Sequence, residues 1–196
     1  ANVSANIKSL RGIPLTLGVI GKDFEGKRLR EEFLSLGAPV TALVEDPERA
    51  TTVKTRIIAH HQQVCRADRE EKSALSQRTR ERLARLFRRL LPKVDAVVVS
   101  DYAKGLISPP FLREILPRAK AAAKIVCVDP KMLNFAAYRP ATVITPNISE
   151  AERASGVAIS GKRELIRAGK KILQKTRIRH LLITRGEEGM ALFEDE

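Results

Sequence analysis

Ala141-Thr-Val-Ile-Thr-Pro-Asn-Ile-Ser-Glu150 holds a strand end, a turn and a helix start in one short stretch. Val143 and Ile144 read as the end of a buried strand, and Pro146 lacks the N–H that would continue the ladder. Asn147 and Glu150, three positions apart, have the spacing of a capping box. Such a pair closes a helix terminus without any ligand, yet it also sets two polar groups at a strand's carboxyl end, and both readings stay open here. Three other predicted strands end in polar residues as well, in Ser100-Asp-Tyr-Ala-Lys104, Val128-Asp-Pro-Lys131 and Thr184-Arg-Gly186. In an open parallel sheet such ends share one edge, and ligands bind in the crevice outside it.

Working outward, the chain alternates helix and strand. Val3, Ile7 and Leu10 have helical spacing before Gly12; Leu15–Ile20 reads as a strand; Asp23 is placed to cap a helix whose stripe is Leu29, Phe33 and Leu36 and whose stop is Gly37. From Val40 the period changes, and residues 51–59 and 62–67 read as a hairpin around His60 and His61. The alternation resumes with a helix over 78–91 and the apolar strand Ala96–Ser100, a composition typical of parallel strands covered on both faces. Pro109 and Pro110 open a helix with Leu112, Leu116, Ala119 and Ala123 inward, and Ile125–Val128 is the next strand. A helix over about 163–174, the strand His180–Thr184 and an edge strand Met190–Phe193 complete an α/β pattern.

Composition narrows the function classes. A chain of 196 residues holds one substantial core with a small appendage, and no run approaches the roughly 18 apolar residues of a membrane span. The first residues show neither the basic region nor the apolar core of a secretory signal, and Cys65 and Cys127 lie in separate strands without zinc or disulfide spacing, so a cytoplasmic location is expected. Lys plus Arg exceed Asp plus Glu by 36 − 23 = 13. The densest cluster, Arg78, Arg80, Arg82, Arg85, Arg88, Arg89 and Lys93, follows a helix buried through Leu83, Phe87 and Leu90, which makes those charges a solvated face or a field for phosphorylated small molecules. With six Phe, two Tyr and no Trp, a base-stacking platform is poorly supplied, and no nucleic-acid or membrane partner is expected. His60 and His61 are adjacent on a strand, point to opposite faces, and do not make a metal pair.

The strand ends supply the chemistry. Asp101 and Asp129 follow apolar strands directly, where a carboxylate can hold a cation or a sugar hydroxyl, and Lys104, Lys131 and Arg185 offer charge suited to phosphate. Each residue alone is equally a turn Asp or a solvated Lys; gathered on one edge they suggest phosphoryl transfer. Gly186 and Gly189 permit close backbone approach to a nucleotide, and a hairpin turn uses the same glycines.

On these residues the chain resembles the ribokinase-like carbohydrate kinases, the pfkB family, and within it the branch acting on heptose 7-phosphate. The resemblance rests on Ala1-Asn-Val-Ser-Ala-Asn6, on Thr52-Val-Lys-Thr-Arg-Ile57 with Gln62-Gln-Val-Cys-Arg66, on Ser100-Asp-Tyr-Ala-Lys-Gly105, and on Val128-Asp-Pro-Lys131, Thr145-Pro-Asn-Ile-Ser-Glu150 and Thr184-Arg-Gly-Glu-Glu-Gly189. It implies a three-layer α/β sandwich with a mostly parallel sheet, its core formed by 1–38 and 69–196, and a small β lid over 39–68 that pairs two subunits into a homodimer. It implies ATP and Mg2+ as cofactors and a phosphosugar as substrate, phosphorylated at the anomeric hydroxyl on the way to ADP-heptose and lipopolysaccharide. Asn2 would contact sugar hydroxyls; Lys54, Arg56, Gln63 and Arg66 would lie near the phosphosugar, with Asp101, Lys104, Asp129 and Lys131 at the strand ends. Asn147 and Glu150 match the family's Asn-x-x-Glu element, Glu150 acting on magnesium indirectly, and Thr184, Arg185, Gly186 and Gly189 match its nucleotide turn.

The chain departs from the family pattern in ways that shape the expectation. The family's Gly-Ala-Gly-Asp segment, which carries the catalytic base, falls beyond Glu196, and the first strands and a Gly-Gly pair precede Ala1, so these residues read as an internal portion of a kinase, expected not to turn over as it stands. Ala103 occupies a position where the family usually has Gly. The competing readings are another pfkB-type sugar or nucleoside kinase and a non-catalytic binding or dimerisation module.

Overall fold

The change of period after Val40 is only part of the chain's division, which falls into two units: Ala1–Leu90 with Lys104–Leu106, and Leu91–Ala103 with Ile107–Glu196. The computed structural model describes residues 2–60, 62–131 and 134–194.

In the first unit, helix α1 (Asn2–Ser9) precedes strand β1 (Gly18–Gly21) and helix α2 (Phe24–Ser35). Asp23 caps α2 by accepting from the Gly26 N–H at 2.8 Å, and it also accepts from the N–H and hydroxyl of Thr51 at 2.9 and 2.7 Å. Phe33 of α2 packs with Ile20, Ala38 and Leu43 in a small core. The expected α1 stripe is not a buried face: Leu10 lies beyond the helix end and is 82% exposed, and the one buried residue of α1 is Ser4. Strand β2 (Leu43–Asp46) pairs in parallel with β1. The small sheet expected from residue 39 therefore begins later, as an antiparallel hairpin of β3 (Val53–Ala59) and β4 (Gln62–Arg69). Nearly all of its residues are exposed on both faces. His61 lies outside the described residues; His60, beside it, has φ +46. Helix α3 (Gln77–Leu90) buries Leu83, Ala84 and Phe87 and turns its arginines outward, and the Thr79 hydroxyl donates to buried Asp46 at 2.9 Å.

The second unit is built on a five-stranded sheet in the order β5 (Ala96–Ser100), β6 (Ile125–Asp129), β7 (Val143–Ile144), β8 (His180–Thr184) and β9 (Met190–Glu194). The first four strands are parallel, and β9 runs antiparallel to β8. Helices α4 (Pro109–Ala121), α5 (Ile148–Ser155) and α6 (Lys162–Thr176) bury their apolar stripes. Those stripes meet the face carrying Val99, Val126, Val128, Ile144, Leu181 and Ile183. Ala123, expected inward, lies past the end of α4 and is exposed. Cover on both faces, expected from the apolar strands, is not what these helices provide. On the other face Val98, Ile125, Met190 and Leu192 are 49%, 56%, 64% and 58% exposed. Among the described residues no helix is long and apolar enough to cross a membrane.

Candidate active site

Register brings the four expected strand ends together. Ser100 pairs with Asp129, Val128 with Ile144 and Ile144 with Leu181, and a parallel bridge joins Asn147 to Thr184. Asp129 ends its strand, and Asp101, Asn147 and Gly186 follow theirs, along one edge of one sheet. The ladder continues past the strands: the Asp101 N–H donates to the Asp129 carbonyl at 3.0 Å, and the Thr184 N–H to the Pro146 carbonyl at 2.9 Å.

A hydrogen-bonded chain runs along that edge. One Asp101 oxygen accepts from the Ala103 N–H at 2.7 Å and the other from the Tyr138 hydroxyl at 2.7 Å. The Tyr138 oxygen in turn accepts the Lys131 N–H at 3.0 Å. The Lys131 ammonium donates to Glu150 at 3.0 Å, and the second Glu150 oxygen accepts the Asn147 N–H at 3.1 Å. Asn147 completes the capping box by accepting the Glu150 N–H at 2.9 Å. The two readings of Asn147 and Glu150 are therefore not exclusive, since the cap itself stands at the strand edge. Asp101 is 3% exposed, and each of its oxygens accepts a hydrogen bond from a neighbour.

Asp129 is the exposed carboxylate of the edge. Burial of part of its surroundings raises its pKa, the charges of Glu150 and Asp101 raise it further, and Lys131 opposes them. Among the described residues no group of three His, Cys, Asp or Glu could hold a metal. Arg185 pairs with Glu188, three residues on. Gly186 and Gly189 have φ +61 and +79, and the Arg185 N–H closes the turn on the Gly189 carbonyl at 2.8 Å. No atom stands within 4 Å of where their side chains would begin, so the turn leaves its backbone open to approach.

The remaining expected residues belong to the first unit. In the hairpin, Lys54 pairs with Asp68 and Arg56 with Arg66, and a bulge between Ile57 and Ile58 sets Gln63 opposite Ile58. Paired residues share a face and alternate residues repeat it, so Lys54, Arg56, Gln63 and Arg66 stand on one face of the hairpin. Asp68 is its one acidic residue, 3.0 Å from Arg66 and 3.6 Å from Lys54. Lys104 pairs with Glu70, whose carboxyl Lys104 and then Lys72 hold down to about 2. Arg49 ties this segment together, donating to the carbonyls of Ser73, Glu71 and Lys104 at 2.8, 3.0 and 2.8 Å. Asn2 is exposed at the start of α1. Each expected phosphate-binding cation, Lys104, Lys131 and Arg185, thus already has a carboxylate partner. Tyr138, Glu70 and Arg49 were not legible as site residues; the available signal was a buried tyrosine, whose hydroxyl needs a partner.

An α/β unit whose mostly parallel sheet ends in a polar carboxyl edge, together with a β hairpin in the other unit, supplies the parts of a ribokinase-like fold. The description of the pfkB family of carbohydrate kinases matches residues 1–196, and the chain belongs to that family. It is 40% identical over 192 residues to the "Bifunctional protein HldE" of Geobacter sulfurreducens, covering 98% of this chain and 39% of that protein. The protein of the same name from Paramagnetospirillum magneticum is 37% identical over 191 residues, at 97% and 39% coverage. The chain therefore spans about two fifths of the length of these relatives. Among solved structures, phosphofructokinase-2 from Escherichia coli in complex with potassium superposes with a TM-score of 0.78 at 15% identity, covering 100% of this chain and 63% of that one. Arabidopsis thaliana ribokinase complexed with ribose and ATP gives 0.74 at 16%, covering 99% and 62%. These likenesses establish the fold.

Proposed function

We propose that this carbohydrate kinase transfers the γ-phosphoryl group of ATP to the anomeric hydroxyl of D-glycero-β-D-manno-heptose 7-phosphate, giving the 1,7-bisphosphate used toward ADP-heptose. The observation that carries the reading is the hairpin face on which Arg56 stands directly opposite Arg66. Like charges facing each other across a ladder destabilise it, and a phosphate between them removes the conflict. Lys54 and Gln63 on the same face extend the grip to a sugar phosphate, which a ribose kinase would not need. Relatives at 36–40% identity that all carry the HldE name support the same branch.

In this reading the hairpin is a lid, and its opposite face, with Thr55, Ile57, Cys65 and Ala67, packs on a second subunit. Asn2 holds sugar hydroxyls. Asp129, Lys131 and Lys104 serve the acceptor side, and Asn147, Glu150, Thr184, Arg185, Gly186 and Gly189 serve the nucleotide. Mg2+ bound to the triphosphate would supply charge neutralisation there, and Glu150 would influence it indirectly, through Asn147 and Lys131. Lid closure excludes the water that would otherwise take the phosphoryl group.

The test uses the protein from its complete reading frame with MgATP and, in parallel, heptose 7-phosphate, fructose 6-phosphate and ribose. Preferred turnover of heptose 7-phosphate is the expected result. Turnover of ribose without the heptose would overturn the substrate assignment.

A further inference from the structure

Tyr138 joins two strand ends through a single side-chain atom. It is fully buried, 0% exposed, in the 3₁₀ turn Phe135–Tyr138, with the Phe135 ring 6.4 Å away at 53°. Its hydroxyl donates to the carboxylate after β5 and accepts the N–H of the lysine after β6. A phenol can do both at a single atom; phenylalanine can do neither.

Lys131 needs such an anchor. Its side chain is 48% exposed, so solvent competes for the ammonium, whereas its partner Glu150 is 8% exposed and cannot follow it. A long flexible side chain in that position is directed mainly by where its own backbone is held. The bond from the Lys131 N–H to Tyr138 supplies that hold, and Asp101, itself fixed by the Ala103 N–H, orients the phenol that makes it.

We propose that Tyr138 is a positioning residue that sets the Lys131 ammonium at the acceptor side of the phosphoryl-transfer site. The proposal deepens the function given above and rests on it for its kinetic consequence, but its structural part stands alone. Tyr138 touches no substrate; it acts through Lys131.

The experiment has two arms on the protein from its complete reading frame. The first measures acylation of individual lysines by an N-hydroxysuccinimide ester, read by peptide mass spectrometry, in wild type and Tyr138→Phe. Lys131 should react about three- to tenfold faster in the variant while Lys124 and Lys171 keep their rates, because losing a hydrogen bond to a buried group costs roughly one tenfold step in the equilibrium that holds it. Asp101→Asn, which weakens the anchor of the phenol while keeping its shape, should move Lys131 the same way by less, and it gives the answer if Tyr138→Phe does not fold. Unchanged Lys131 reactivity in the folded variant would overturn the proposal whatever the enzyme's substrate.

The second arm compares KM and kcat. Tyr138→Phe should raise KM for the phosphosugar about tenfold with a smaller change in kcat, and adding it to Lys131→Gln should cost less than about twofold more. Independent, multiplicative losses would reject action through Lys131. A wild-type protein that turns over no phosphosugar would defeat the proposed function, and the acylation arm would still decide the role of Tyr138.

Discussion

Asp129 shows how a single group at the strand edge carries opposed demands. Its carboxyl is held above the ordinary value of 3.8, first by burial and then by the charges of Glu150 and Asp101. A group that binds its proton more tightly in the folded chain favours folding in acid, and that contribution is lost as pH rises from 3.8 through the raised value. Asp129→Asn removes the unfavourable charge, so it should increase stability against denaturant at pH 7 and have little effect at pH 3. Urea melts across that range test the sign, and a variant less stable than wild type at pH 7 would contradict it. The same scale marks the limit of what the motifs reveal. Ala103 was legible as a departure from the family's glycine, and its φ of +52 explains the glycine, since an alanine there costs about 1–2 kcal/mol. Two residues on, Gly105 keeps φ +81 where any Cβ would stand 1.8 Å from the Ser73 carbonyl oxygen. Tyr138 was not legible: nothing near it in the chain says that its hydroxyl meets a carboxylate 37 positions earlier.

At the scale of elements, periodicity located most helices and strands because each buries one face, and a period-3.6 or period-2 stripe records which face that is. It could not place β2, a four-residue strand whose neighbour is β1 and not the hairpin that follows it. Nor could it find the bulge that carries Gln63 onto the face of Lys54, Arg56 and Arg66, because one extra residue in a ladder leaves no mark in composition. The hairpin gives a prediction that separates binding from folding. If Arg56 and Arg66 face each other to hold a phosphate, Arg56→Gln should leave stability unchanged or raise it by about 0.5 kcal/mol, since a like-charge pair is lost. KM for the phosphosugar should rise about tenfold, in keeping with the loss of one charge-assisted contact. A loss of stability without a change in KM would make the pair structural.

For the chain as a whole, the apolar strands carry information that their sequence delivers only in part. A strand reading Ala-Val-Val-Val reports that both of its faces avoid water; it does not name the segment that covers either one. Helices α4, α5 and α6 account for one face of the five-stranded sheet. On the other, Val98 of β5 and Ile125 of β6 are exposed towards one side of the sheet, and Leu192 and Met190 of the antiparallel edge strand β9 are exposed at the other. Soluble monomers rarely leave a contiguous apolar patch beyond roughly 300–600 Å² uncovered. A polypeptide of these 196 residues, expressed alone, should therefore enhance 1-anilinonaphthalene-8-sulfonate fluorescence strongly while its far-UV circular dichroism remains that of an α/β protein, and it should elute larger than its 21.8 kDa. Val98→Thr with Leu192→Thr should reduce both signals without loss of helix content, because both side chains already face solvent and contribute little to the packed side. Dye fluorescence no higher than for an ordinary folded monomer would mean that this face is closed, and the exposure of Val98, Ile125, Met190 and Leu192 would then not describe the chain in solution.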